Sequence, residues 1–307
     1  MPTSSMITGP VTRGEPIPQP MLGRLRASPD RRGDASALRA RLAQDGYVYL
    51  PGLFVRDEIL AARQAVFERL AEVGEIAEPV IDGIATGTSQ RRERCADLGA
   101  FWRSVSETWA LRRITHGARL HRLMDDLLEG ESRPQDYIFL RPAGPGKHTR
   151  VHCDAGFFTR TTERVLTAWI ALGDTPLSDG PLFVIEGSHR FADVLESQRG
   201  FDVVRDTGRQ AAFAETALEL AASHDARVLS EDYGAGDVVV FSMYLLHGAF
   251  DNMSPVGRVR LSCDVRYQHA ADPVDERYFG PEPLGTTGAG YGELVGAKPL
   301  TEEWHVR

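Results

Sequence analysis

With 307 residues, 42% of them hydrophobic, and a formal net charge of −8, the chain can bury the core of one large domain. Its negative balance, with no basic stripe interleaved with aromatics, argues against a nucleic-acid partner. No run approaches the roughly 18 apolar residues of a membrane span and no basic-then-apolar leader opens the chain, so the cytoplasm is the expected compartment. The three cysteines, Cys95, Cys153 and Cys263, share no spacing pattern, which argues against a disulfide framework and a cysteine zinc site.

Residues 1–33 carry Pro10, Pro16, Pro18 and Pro20 without apolar periodicity, so they are expected as a mobile arm, and residues 34–307 as a single domain. Ala37, Leu38 and Leu42 fall at helical spacing before Gly46, and Tyr47 to Leu50 then read as a strand. A second helix follows, with Asp57 placed to cap it and Ile59, Leu60, Val66, Phe67 and Leu70 on one face. Residues 75–95, with Gly83 and Gly87, read as a long loop and a candidate lid, and the arginine-rich run from Arg91 to Arg94 as a solvated segment within it. Residues 101–128 return to helix, with His116 and His121 as ordinary helix histidines.

Beyond Tyr137 the texture changes to short strands separated by turns: 137–140, 149–154, 165–172, 182–185, 228–229, 237–242 and 258–268. Seven short strands without a βαβ rhythm predict a sandwich or barrel, giving a mainly β fold with flanking helices. Residues 191–223 read as an insertion, and residues 270–307, rich in glycine and proline, as an irregular tail.

Two stretches carry the chemistry. In Arg150-Val151-His152-Cys153-Asp154 a strand would turn His152 and Asp154 to one side and Cys153 to the other, and His247 follows a second apolar run, 237–246. Two histidines and a carboxylate leave several coordination positions open, which suits non-haem Fe(II) oxygenases. His189, which also follows a strand, is the rival third ligand. The second stretch alternates with a period of two: Arg258, Arg260, Ser262, Asp264, Arg266 and Gln268 on one face, Val259, Leu261, Cys263, Val265 and Tyr267 on the other. Either this is an edge strand with its polar face in water, or Arg258 and Ser262 point into a polar barrel mouth where a guanidinium fork holds a carboxylate.

The sequence resembles the phytanoyl-CoA dioxygenase family of Fe(II)- and 2-oxoglutarate-dependent oxygenases. The matching segments are 45–54 (DGYVYLPGLF), His152-x-Asp154, Ala168 to Leu172, Asp179-Gly180-Pro181-Leu182 leading into Gly187-Ser188-His189-Arg190, and His247-Gly248 with Arg258 eleven positions on. The resemblance implies a double-stranded β-helix, the jelly-roll core shared with cupins, and Fe(II) held by His152, Asp154 and His247. It further implies 2-oxoglutarate and O2 as co-substrates, with Arg258 chosen over Arg260 for the far carboxylate because of its interval from His247. Gln135, Trp169 and Asn252 match co-substrate positions of relatives, and Thr167 shares a strand face with Trp169. The position two after the distal histidine, a small hydroxyl residue in relatives, is Ala249 here.

The implied reaction is oxidation of a small molecule, by hydroxylation, desaturation or oxidative cyclisation, in bacterial specialised metabolism such as antibiotic biosynthesis. Substrate entry is expected between the 75–95 loop and Phe157-Phe158-Thr159-Arg160, whose Phe157, Phe158 and Arg160 are the candidate substrate contacts. Two other classes stay open: a cupin-like metal-binding module without catalysis, and a jelly-roll metal isomerase that never meets 2-oxoglutarate. The oligomeric state is not legible from composition.

Overall fold

The computed structural model describes residues 9–28 and 35–303. Two short strands, β1 (Val11–Thr12) and β2 (Glu15–Pro16), lead to β3 (Leu22–Arg24), then α1 (Ala35–Asp45), β4 (Tyr47–Leu50) and α2 (Arg56–Glu72). A four-residue turn of helix, α3 (Arg91–Arg94), precedes α4 (Leu98–Ser106), α5 (Trp109–Thr115) and α6 (Ala118–Leu128). The remaining strands are β5 (Ser132–Pro134), β6 (Phe139–Ala143), β7 (Thr149–His152), β8 (Val165–Ala171), β9 (Leu182–Ile185), β10 (Val228–Ser230), β11 (Val238–Ser242), β12 (His247–Ala249) and β13 (Arg260–His269). Helices α7 (Ala155–Phe158), α8 (Ala192–Gln198) and α9 (Ala217–Ser223) interrupt them.

The strands form two facing sheets, a five-stranded one in the order β3-β10-β9-β12-β7 and a six-stranded one in the order β4-β11-β8-β13-β5, with β6 also paired to β13. Together they make the jelly-roll core, and the pleat decides what each face meets. Val48, Leu50, Ala168, Ile170, Val238, Val240, Leu261, Cys263 and Val265 join the core shared with Ile59, Val66, Phe67 and Leu120 of the flanking helices. Their alternates Tyr47, Tyr49, Trp169, Ala171, Val239 and Phe241 form a second cluster with Leu182, Val184 and Leu229 of the smaller sheet, inside the barrel. On β13 the inward alternates are Arg260, Ser262, Asp264, Arg266 and Gln268, all buried. The strand pairs with β8 on one side and with β5 and β6 on the other. It is therefore no edge strand, and its polar face lines the barrel interior.

Several expectations are corrected. The described part of the expected arm, 9–28, is built into the fold: β3 pairs in parallel with β10, and Asp251 accepts the backbone N–H groups of Arg13 and Gly14. The remainder of 1–33 lies outside the described residues. Asp57 sits in the first turn of α2, whose cap position is Val55. The helix expected over 101–128 is three helices, because Thr108 caps α5 with its side chain and Gly117 opens α6.

The 75–95 loop is a fixed support and lines neither cavity at the metal centre described below. Arg91 and Glu75 form a completely buried ion pair inside it, and the same guanidinium donates to the carbonyls of Gly296 and Lys298. Gly296 packs so closely under Trp102 that a Cβ would lie 2.0 Å from the indole ring. The segment after β13 is irregular as expected, with 3₁₀ turns at Gly290–Glu293 and Val295–Ala297, yet it is packed, with Tyr278, Tyr291 and Ala297 in the core. Removing one partner of a buried pair strands the other charge. Glu75→Gln should therefore lower stability by about 3 kcal/mol and expose residues 290–303 to protease; urea denaturation and limited proteolysis check both outcomes.

Candidate metal centre

His152 on β7 and His247 on β12 stand opposite each other in the ladder. Each imidazole donates Nδ1–H to the carbonyl two residues earlier, His152 to Arg150 and His247 to Leu245, both at 2.9 Å. These bonds fix the tautomer and leave each Nε2 lone pair free. Asp154 does not continue the strand as the alternation predicts. It has helical dihedrals (φ −82°, ψ −11°) as the residue opening α7, which brings its Oδ1 to 4.0 Å from both Nε2 atoms. All three ligand atoms lie within 4.8 Å of one another, and this is the one such cluster among the described residues. Ligand atoms on neighbouring coordination positions of one ion, with bonds of about 2.1 Å, stand about 3 Å apart, so the three side chains need to draw in by about an ångström to share one ion.

The electrostatics suit a cation. Burial pushes the His152 imidazole down to about 3, with His247 adding to the effect, and burial likewise lowers His247. Both rings are therefore neutral ligands near pH 7. Burial alone would raise the Asp154 carboxyl, but Arg266, His247 and His152 together hold it below the ordinary carboxylate range. Its second oxygen is occupied: Oδ2 accepts from Thr167 Oγ1 at 2.5 Å and from Arg266 Nη2 at 2.9 Å. Arg266 Nε also donates to Thr167 Oγ1 at 3.2 Å, while Phe139 and Phe158 cover the guanidinium with ring centroids 4.6 and 4.3 Å from Cζ. Asp154 is thus presented through Oδ1 alone, leaving the rest of the coordination sphere to other ligands.

Two cavities meet at this centre. The inner pocket is lined by Thr149, Trp169, Leu182, Gly248, Ala249 and Arg260 together with both histidines, Arg141 and Asp264. Arg260 is wholly buried, donates Nε–H to Gly180 O at 3.1 Å and Nη1–H to Ser262 Oγ at 2.6 Å, and has no acidic partner among the described residues. Burial, with Arg141 adding, pushes this guanidinium down to about 10. The outer cavity, of about 210 Å3, runs from His152 and Asp154 past Phe139, Phe157, Phe158 and Tyr278 to Glu293, Leu294, Val295 and Lys298. Its roof is the segment after β13, and the 75–95 loop takes no part.

The structure brings some predicted residues to these cavities and leaves others outside. Phe157 and Phe158 line the outer one, Trp169 the inner one, and Thr167 holds Asp154. Arg258 lies before the first residue of β13 and pairs with Asp179 at 2.8 Å, with a third of its side chain exposed; it lines neither cavity. Arg160 is spent on a two-point pair with Asp202 at 2.8 Å. Asn252 bridges backbone, donating to Ala143 O and Arg258 O, and buried Gln135 lines neither cavity. His189 lies outside the cluster of ligand atoms, and its Nε2 bonds Ala43 O at 3.2 Å. Arg141, Arg266 and Thr149 were not singled out by sequence, although Arg266 lies on the alternating polar face of β13.

A jelly roll with two neutral imidazoles, one single-point carboxylate and an adjoining pocket with a buried arginine defines the Fe(II)- and 2-oxoglutarate-dependent oxygenases, with iron as the metal and 2-oxoglutarate and O2 as co-substrates. The phytanoyl-CoA dioxygenase (PhyH) pattern matches residues 42–259, and the chain belongs to that family. Among curated relatives, ectoine dioxygenase of Sphingopyxis alaskensis is 25% identical over 230 residues, 71% of each chain. The 1-deoxypentalenic acid 11-beta-hydroxylase of Streptomyces exfoliatus is 25% identical over 286 residues, 88% of this chain and 94% of the relative. Among solved structures, EctD from S. alaskensis superposes with a TM-score of 0.56 at 20% identity, covering 86% of this chain and 88% of that one. The epimerase SnoN, solved with Fe3+, alpha ketoglutarate and nogalamycin RO, gives 0.53 at 21%, covering 89% and 95%. Among the described residues no helix is long and apolar enough to cross a membrane.

Replacing His152, Asp154 or His247 by Ala should abolish Fe(II) binding, whereas His189→Ala should keep it. Thr167→Val, which removes one of the two bonds on Asp154 Oδ2, should weaken Fe(II) binding by about 10- to 100-fold. Anaerobic Fe(II) titration reads all five variants.

Proposed function

We propose that this chain oxidises a C–H bond of a small molecule in specialised metabolism, with Fe(II) held by His152, Asp154 and His247. Arg260, in place of the expected Arg258, binds the far carboxylate of 2-oxoglutarate. The observation that carries this reading is the buried Arg260 without an acidic partner beside His247 and Trp169. A buried cation with no ion pair of its own is costly, Asp264 in the same pocket offsetting it only at longer range, and a carboxylate matches its fork. Thr149, cross-strand partner of Ala249, supplies a hydroxyl in the same pocket where relatives carry one two positions after the distal histidine. The curated relatives named above act on small molecules by their names, which supports the substrate scale.

Iron and 2-oxoglutarate, when bound, would supply the oxidising power from dioxygen, with succinate and CO2 as the co-products. The protein's own residues do the rest. Thr167 and Arg266 keep Asp154 to one contact, Arg260 and Trp169 orient the co-substrate, and Phe139, Phe157, Phe158 and Tyr278 keep water from the substrate face. The default outcome is hydroxylation. A metal-binding module without catalysis, or an isomerase, gives no reason for a buried acceptor-seeking arginine next to the metal ligands.

Arg260→Ala should raise the 2-oxoglutarate KM by about 30-fold or more, since losing a buried charged partner costs roughly 2–5 kcal/mol; Arg258→Ala should change it less than about threefold. Succinate release in a substrate screen supplies the rates, and the opposite ranking would return the carboxylate to Arg258. Because Asp154 fills the position a halide ligand would need, mass spectrometry of products made in chloride buffer should show no chlorinated species.

A further inference from the structure

Arg141 stands in the wall common to both cavities. Its Nε is pinned to Asp264, and Asp264 is also 3.9 Å from Arg266, so one acid is shared by two guanidiniums. The two Nη groups of Arg141 have no partner among the described residues. Across the outer cavity the other charged groups divide by availability. Asp154 Oδ2 is taken by Thr167 and Arg266, and both oxygens of Glu293 are taken by the amides and hydroxyls of Thr286 and Thr287. The ammonium of Lys298, at the exposed rim, is unpaired among the described residues, and Glu303 there is the one acid left open. Deep in the cavity, then, the open donors are those of Arg141 and the acceptors are taken, apart from Asp154 Oδ1, which faces the two imidazoles, between walls that are aromatic.

We propose that Arg141 anchors a carboxylate of the substrate, which makes the substrate class a small organic acid with an apolar body lying along Phe139, Phe157 and Phe158. A guanidinium with one edge fixed by Asp264 offers its open end as a preset two-point donor, which matches a carboxylate better than a neutral oxygen. Lys298 adds attraction at the entrance. The anchoring point beside His152 and Asp154 places carbons close to the acid group nearest the metal, so oxidation falls on a ring or chain carbon near the carboxylate. The inference rests on the oxygenase reading for its use of the cavity, but its test reads binding and not turnover.

The test uses the protein loaded with Fe(II) and 2-oxoglutarate under nitrogen, titrated with cyclohexanecarboxylate and its uncharged isostere cyclohexanecarboxamide, with ligand-observed NMR giving the affinities. Wild type should bind the acid at least tenfold tighter than the amide. Arg141→Gln should bring that ratio below about threefold with 2-oxoglutarate affinity changed less than threefold, and Lys298→Gln, at the exposed rim, should reduce the ratio by about threefold. Equal binding of acid and amide by wild type, or binding of neither, overturns the proposal without recourse to any variant. So does a ratio retained in Arg141→Gln, or a tenfold loss of 2-oxoglutarate affinity there, which would give Arg141 to the co-substrate. Absence of succinate release in the substrate screen would count against the oxygenase reading alone.

Discussion

The structure depends on the burial of a polar strand face. β13 turns five polar side chains into the barrel, three of them charged, and a buried charge persists only with partners. Each charged member takes a partner from another part of the chain: Arg266 from Asp154 and Thr167, Asp264 from Arg141 on β6, and Arg260 from Gly180 O, with Ser262 of its own strand as a second acceptor. Satisfying these groups ties β13 to β6, β8, the segment before β9 and Asp154, two residues past the end of β7. The same ties aim Asp154 at the two imidazoles. Fold specification and construction of the metal centre are thus one set of hydrogen bonds.

Asp154 shows how finely that set divides labour. Its two oxygens are chemically equal in isolation, yet one is consumed by a hydroxyl and a guanidinium and the other faces His152 and His247. A carboxylate free on both sides could chelate the ion and crowd out other ligands. Holding Oδ2 away leaves the remaining coordination positions to other ligands. The ladder that places His152 opposite His247 fixes the other two ligands in the same rigid way, through strand register.

Much of this was legible in the sequence where the signal is local. Leu182 to Ile185 and Tyr47 to Leu50 were read with their observed bounds because strand runs between turn residues are self-announcing. The alternation of β13 was equally plain, but alternation alone does not say which side faces water. That depends on β8, β5 and β6 covering the strand, and those contacts are remote in sequence. Arg258 and Arg260 share a face and differ by two positions, so spacing could not separate them. The ladder starts at Arg260, and Asp179, 79 residues away, claims Arg258. Arg266 escaped notice for the same reason, its acid partner lying 112 residues off. The break of one expected helix into three did have local markers, the side-chain cap of Thr108 and Gly117 at the start of α6.

Phe158 touches two systems at once. One side of its ring is part of the outer cavity wall, and its face covers the guanidinium of Arg266, which in turn holds the metal-binding aspartate. Phe139, edge-on to Phe158, does the same from an adjacent direction. The surface that a substrate would meet is therefore also the packing that keeps the metal ligand in place. Exchange of either ring for a smaller or polar side chain, the usual route by which a binding site drifts toward a new shape of molecule, loosens Arg266 in the same event. Divergence of this enzyme is consequently channelled elsewhere: Gly292 to Val295, Lys298 and Glu303 line the cavity and, among the described residues, make no hydrogen bond, ion pair or ring contact with Arg266, so selectivity can change there while the packing on Arg266 stays as it is.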